Sequence, residues 1–450
     1  MAPVWPLCTP VVGNHGEQGS EVKWDLAIVA AALLAVAGIS RRLTDTPFTP
    51  AMAFVLIGLL VGPFVFDEVT VSPTSGTVRT LAEATLAVVL FADASRIKLH
   101  VLRQEYAVPL RLLAIGLPLT IAGGALLAAV EFAHLNAWEA VVLAVLLAPT
   151  DAALGQAVVT EPRLPSRIRQ GLNVESGLND GICVPLLLIA LAAADVEANA
   201  TTSHHAITIV AEEIGYGILG GLVAGLAAAA VVAIGHRRDL ISGSWLQVIP
   251  IAGAALAYGF AAALGGSGFI AAFIAGAIFG GLVHEESEEA SRLNEELGAL
   301  LGGVTLLLFG AVLLGPTLKH VSWQIALYAG LSLTVVRMLP VAIAMLGSAA
   351  KWPTIGFLGW FGPRGLASIV FAVITVQRAH LAGVDTILRA TYLTIGLSVF
   401  AHGITAVPLA RRYARWYETH PPHRRPPMES VQAPHHRARW GPRTQDAAGS

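Results

Sequence analysis

The chain has 450 residues, 55% of them hydrophobic and only 13% charged, with a formal net charge of -2 and a mean hydropathy of +0.67. A soluble domain carries roughly 25% charged residues, so this composition excludes a string of soluble domains and specifies one polytopic membrane domain; the near-neutral charge argues against a nucleic-acid partner. Two cysteines, Cys8 and Cys183, give no disulfide framework, and Cys183 reads as a small packing residue.

Residues 1–24 mix Pro, Gly and His with Glu17 and Glu21 and lack a basic stretch followed by an apolar core. They read as an extracytoplasmic arm, not a cleaved signal peptide. Residues 25–413 form the transmembrane domain, an all-α unit of about 13 spans by the ~20-residue length of a bilayer-crossing helix. The spans start near Leu26, Pro50, Arg79, Pro109, Glu139, Leu172, Ala206, Leu246, Ser267, Glu296, Trp323, Thr354 and Leu388. The boundary inside the stretch from Leu246 to Gly281 stays open around Gly265 and Gly266.

Basic residues set the orientation. Arg41, Arg42, Arg96, Lys98, Arg103, Arg163, Arg167, Arg169, Arg237, Arg238, Arg292, Lys351, Arg411, Arg412 and Arg415 fall on one set of connections, against Lys23, Arg79, Lys319, Arg378 and Arg389 on the other. The positive-inside rule then puts the N-terminus outside and the C-terminus in the cytoplasm of a plasma membrane. The acidic run from His284 to Glu289 reads as a solvated cytoplasmic loop. Residues 414–450, rich in Pro, His and Arg, cannot bury a core and read as a disordered cytoplasmic tail.

Two spans hold helix breakers beside charge. In the fifth, Ala148-Pro149-Thr150-Asp151 interrupts an apolar run; in the twelfth, Gly362-Pro363-Arg364-Gly365 does the same. Proline removes a backbone donor and disfavours helix at the residue before it. Backbone freed at membrane depth is tolerated only where it lines a cavity or meets protein, so two discontinuous helices predict a site between them. The breaks fall at matching places in two halves that run oppositely through the bilayer, the arrangement of inverted repeats.

The sixth span carries the acidic chemistry. Asn173, Ser176 and Asp180 follow an i, i+3, i+7 stripe, and Glu175 and Asn179 an i, i+4 pair beside it. Ionisable groups inside a span are costly and mark ion or proton paths. Asp180 and Asp151 are the candidates for binding a cation or a proton, with Ser176 and Thr150 as oxygen donors to a monovalent cation held at Asp180. Asp93, near the cytoplasmic end of the third span, is a third acidic candidate, with pairing to Arg96 or Lys98 as the alternative. Arginine keeps its proton, so one at membrane depth needs a counter-charge. Arg337 and Arg364 both qualify as the partner of Glu175 in a structural ion pair.

Pro149-Thr150-Asp151, the block from Glu175 to Gly181 and Gly362-Pro363-Arg364-Gly365 resemble the cation:proton antiporter family that includes bacterial NhaP-type exchangers and the animal sodium/hydrogen exchangers. The resemblance covers roughly Leu26 to Tyr413. It implies that Asp180 is the essential ion-binding aspartate, with Asn179 beside it, Thr150 and Asp151 at the unwound crossing, Ser176 as an oxygen ligand and Asp93 as the acidic residue of the third helix. It also implies a homodimer in the bilayer, electroneutral exchange of sodium (or potassium, or lithium) for protons, a part in pH homeostasis, and no cofactor beyond the transported ions. The rivals are a potassium/proton antiporter of the same fold and, from another class, an intramembrane aspartyl protease that uses Asp151 and Asp180 as its dyad.

Overall fold

The computed structural model describes residues 15–44, 46–62, 76–96, 106–199, 203–283, 287–378, 381–420 and 426–430. Every regular element among them is helical. Eight of these helices are long and apolar enough to cross a bilayer, and shorter apolar ones lie between them. Their outer faces carry bare aliphatic residues: Leu126, Val130, Leu219, Leu222, Val223 and Leu226 are all exposed. Such continuous apolar surface suits hydrocarbon, not water, and the protein is a multi-pass membrane protein.

In chain order the helices are α1 (His15–Thr44), α2 (Pro50–Val61), α3 (Gly76–Ser95), α4 (Ala107–Glu131) and α5 (Ala137–Leu146). Then come α6 (Ser166–Asn199), α7 (Ser203–Arg237), α8 (Val248–Ala263) and α9 (Gly268–Leu282). Helix α10 (Ser287–Leu308) runs on through a π segment, Phe309–Leu314, and α11 (Trp323–Ala344) kinks at Thr334. The last three are α12 (Trp352–Trp360), α13 (Leu366–Arg378) and α14 (Val384–Glu418).

Local chemistry explains the boundaries. Thr49 caps α2 by accepting from the Met52 amide, with Pro50 in the first turn, where its missing N–H costs nothing. Asn136 and Glu139 form a capping box at α5. The open boundary in the Leu246–Gly281 stretch resolves between Ala263 and Gly268. Gly265 there turns the chain at φ 81°, a left-handed conformation that disfavours a side chain.

The helices sort into two bundles. Helices α3, α7, α8, α9 and α10 pack on one another, with α2 against α10 and α1 against α2; α4, α5, α6 and α11 to α14 form the second. Across the seam, α3 touches α6 and α13. Glu139 ties the second bundle at one end, because the carboxylate that closes its own capping box also accepts from the Gly383 amide at the start of α14.

Both ends of the sequence-based division shift. Helix α1 begins at His15, inside the expected arm, while residues 1–14 lie outside the described residues. Helix α14 continues past residue 413 to Glu418, and Pro427–Ser430 forms a further turn with Met428 and Glu429 buried. Tyr413, Trp416 and Tyr417 extend the helix's apolar stripe at i, i+3, i+4 spacing, which the surrounding arginines and prolines mask in composition. Lys98 and residues 284–286 of the acidic run fall outside the described residues.

Candidate functional site

Both expected breaks are present. Helix α5 stops at Leu146, and residues 148–151 run without regular structure before a single turn at Gln156–Val159. Helix α12 stops at Trp360, and residues 361–365 lead unwound into α13. The two unwound stretches cross. The Asp151 amide donates to the Pro363 carbonyl at 2.7 Å. Arg364 Nη1 donates to the carbonyls of Ala148 at 2.8 Å and Pro149 at 3.2 Å. In return, Asp151 Oδ2 accepts from the Leu366 amide at 3.1 Å.

This exchange follows from helix electrostatics. Broken helices leave unpaired carbonyls at a negative end and unpaired amides at a positive end. The guanidinium of Arg364 sits on the carbonyls that follow α5, and the carboxylate of Asp151 sits on the first amide of α13. Each break thus supplies the charge that the other needs. The packing leaves no room for a side chain at Gly365, where a Cβ would lie 2.7 Å from that of Asp151.

Helix α6 docks against the crossing through Ser176, from the expected stripe, and Asn179, from the pair beside it. Ser176 Oγ donates to the Thr150 carbonyl at 2.6 Å and accepts from the Ala152 amide at 2.8 Å. Asn179 Nδ2 donates to Thr150 Oγ1 at 2.7 Å, and Asn179 Oδ1 accepts from the Thr150 amide at 3.3 Å. Asp180, 5% exposed, follows Asn179 one turn beyond Ser176. Each hydroxyl oxygen has two lone pairs. After these bonds, Ser176 and Thr150 each keep one.

Glu175 pairs with Arg337 and not with Arg364. Arg337 Nη1 and Nη2 reach Glu175 Oε1 and Oε2 at 2.9 Å and 3.0 Å, with both side chains buried. The forked guanidinium matches the carboxylate plane. Arg364 is held by backbone carbonyls instead, and its amide donates to Ser398 Oγ at 2.6 Å.

Two small cavities flank Ser176. One is lined by Thr150, Asp151, Gly155, Ser176, Phe361 and Pro363, the other by Asp93, Arg96, Asn173, Ser176 and Gly177. Asp93 faces the second. Arg96 lies 3.4 Å from its Oδ1 and 3.1 Å from Glu295 Oε1 on α10, so the pairing alternative for Asp93 is present at the cavity wall.

Sequence reasoning missed Glu139, Glu295, Glu429 and the pair Ser398 and His402. His402 is buried, with Nε2 2.9 Å from the Trp360 carbonyl and Nδ1 3.1 Å from Ser398 Oγ. As a neutral Nε2–H tautomer it donates to Trp360, accepts from Ser398, and so braces both sides of the α12–α13 break. An ionisable residue in an apolar run was the available signal.

The family described as sodium/hydrogen exchanger, transmembrane, matches residues 28–412. The K(+)/H(+) antiporter NhaP2 of Shewanella sp. (strain ANA-3) is 25% identical over 404 residues, which cover 86% of this chain and 66% of that protein. The Na(+)/H(+) antiporter NhaP of Pseudomonas aeruginosa is 30% identical over 281 residues, 59% of this chain and 64% of that one. The chain therefore spans just under two thirds of the length of these relatives. The sodium proton antiporter MjNhaP1 from Methanocaldococcus jannaschii has a similar fold, with a TM-score of 0.67, 19% identity, and coverage of 88% of this chain and 99% of that one.

Proposed function

Because the chain belongs to the sodium/hydrogen exchanger family, a family of transporters and not of enzymes, we propose that it is a secondary antiporter exchanging a monovalent alkali cation for protons across the plasma membrane. The observation that carries this reading is a buried aspartate, Asp180, next to Asn179 and one helical turn beyond Ser176, the two residues that bind Thr150 where the two broken helices cross.

Such a site works by competition. A carboxylate in a low-dielectric setting is costly when bare. A proton or a cation neutralises it, and each excludes the other. The loaded bundle crosses between alternate accesses, and the empty one does not. Asn179, not a second aspartate, precedes Asp180, which leaves one titrating carboxylate at the centre and favours electroneutral exchange. Asp93 serves at the cavity through which the cation arrives. Asp151 contributes mainly by holding the crossing, since its Oδ1 and Oδ2 accept from the amides of Ala153 and Leu366. That use of both oxygens disfavours a shared-proton protease dyad.

Sodium is the first choice of cation. Potassium is the second reading, favoured by the similarity to K(+)/H(+) antiporters over most of the chain. About 13 crossings arranged as two inverted repeats, an external N-terminus and a homodimer complete the proposal, with pH homeostasis as the physiological role. The test is reconstitution into proteoliposomes with sodium, lithium and potassium titrations. Wild type dissipates a pH gradient on cation addition, and Asp180→Asn inserts normally and does not. Full exchange by Asp180→Asn would overturn the assignment.

A further inference from the structure

A buried carboxylate stands where composition leads one to expect solvated chain. Glu429, in the turn Pro427–Ser430, is 1% exposed. Its Oε1 accepts from the Lys351 amide at 2.9 Å and from Thr354 Oγ1 at 2.5 Å, and Thr354 Oγ1 lies 2.8 Å from the hydroxyl of Tyr413. Arg167 Nη1 on α6 reaches the Met428 carbonyl at 3.3 Å. Three helices around the ion site, α6, α12 and α14, therefore hold this segment.

The contact has a defined job at α12. Lys351 is the N-cap residue of that nine-residue helix and makes no side-chain cap. A helix start needs acceptors for its free amides and favours negative charge. Glu429 supplies such an acceptor from 78 residues away. The far end of α12 lies about 13 Å along, at 1.5 Å per residue, and there the chain enters the crossing at which Pro363 takes the Asp151 amide. A second route runs through packing. Met428 belongs to the same apolar cluster as Val158, Leu172 and Phe361, and those three line the cavity that also holds Thr150, Asp151 and Ser176.

We propose that residues 426–430 form a built-in docking segment that sets the position of α12, with Glu429 as a positioning residue for the ion site. The inference rests on the exchange reading above. Undocking lets α12 and the Phe361–Gly365 stretch shift against α5, so the site's oxygens meet the cation less well.

The test compares wild type, Glu429→Ala, Glu429→Gln and a truncation after His420 in proteoliposomes. Glu429→Ala and the truncation raise the apparent KM for the cation about fivefold, the factor set by losing one helix cap, while maximal rate per inserted protein changes less than about twofold. Glu429→Gln keeps the Oε1 acceptor and stays near wild type. Hydrogen exchange at residues 351–355 rises in Glu429→Ala and not in Glu429→Gln. An unchanged KM in Glu429→Ala, a fall in maximal rate alone, or a faster truncated protein would each overturn the proposal. A wild-type protein with no cation-dependent proton flux would instead overturn the exchange reading, and the hydrogen-exchange result would still decide whether Glu429 caps α12.

Discussion

Asp151 caps a helix that starts 215 residues further along the chain, its Oδ2 accepting from the Leu366 amide at 3.1 Å. The same side chain's Oδ1 accepts from the Ala153 amide at 2.8 Å. Asp151→Ala strands two amides, the Leu366 one buried and the Ala153 one partly buried, at up to about 1–3 kcal/mol for a buried amide left unmade. Asp151→Asn keeps one oxygen acceptor and loses the charge facing the helix dipole. Thermal unfolding in detergent is therefore expected to rank wild type above Asn above Ala. Equal melting temperatures for all three would remove the capping role.

The ion pair of Glu175 and Arg337 is bidentate and enclosed. Removing one partner leaves an uncompensated buried charge, at a cost of about 3–5 kcal/mol. Glu175→Ala and Arg337→Ala should each insert poorly and unfold early, and the double substitution, which strands no charge, should be more stable than either single one. Melting curves of the purified variants check this ranking. Additive losses in the double variant would show that the two side chains act separately.

Much of this site was legible in the chain because its parts contradict their surroundings. Pro149 and Pro363 beside Asp151 and Arg364 cannot be ordinary features of apolar helices, and the Ser176, Asn179, Asp180 pattern has only one helical face to occupy. The choice between Arg337 and Arg364 for Glu175 was not legible. Both are arginines in apolar runs, and what separates them is that Arg364 finds backbone carbonyls at the end of α5. Backbone partners carry no side-chain signature, which also hides the capping role of Asp151. Glu429 was invisible for a different reason: its neighbours in sequence are polar, and its pocket is assembled from α6, α12 and α14.

Arg96 bridges Asp93 and Glu295 at the wall of the cavity that reaches Ser176. Two carboxylates hold one guanidinium there, and the field of those acidic groups draws cations toward the wall. Glu295→Gln removes one of those two carboxylates. The apparent KM for the cation should rise about threefold at low ionic strength and return toward wild type as salt screens the field. Initial-rate titrations at two ionic strengths measure it, and a salt-independent change would count against an electrostatic origin.

Asn179→Asp tests how far the single central carboxylate sets the stoichiometry. Asn179 Nδ2 donates to Thr150 Oγ1 at 2.7 Å and lies 3.5 Å from Glu175 Oε1, so the amide works as a donor toward two oxygens. A carboxylate has no hydrogen to give. It would also face Glu175 at close range, where two like charges roughly 4 Å apart cost about 4 kcal/mol at an effective dielectric near 20. Arg337 already spends both terminal nitrogens on Glu175 and offsets only part of that. The substitution is therefore expected to lower the melting temperature and the exchange rate together, without creating a second transported charge. Flux measured with the membrane potential clamped at zero and at a negative value decides the matter: in the surviving activity the two rates should agree. A rate that follows the potential would mean that the new carboxylate carries an ion of its own.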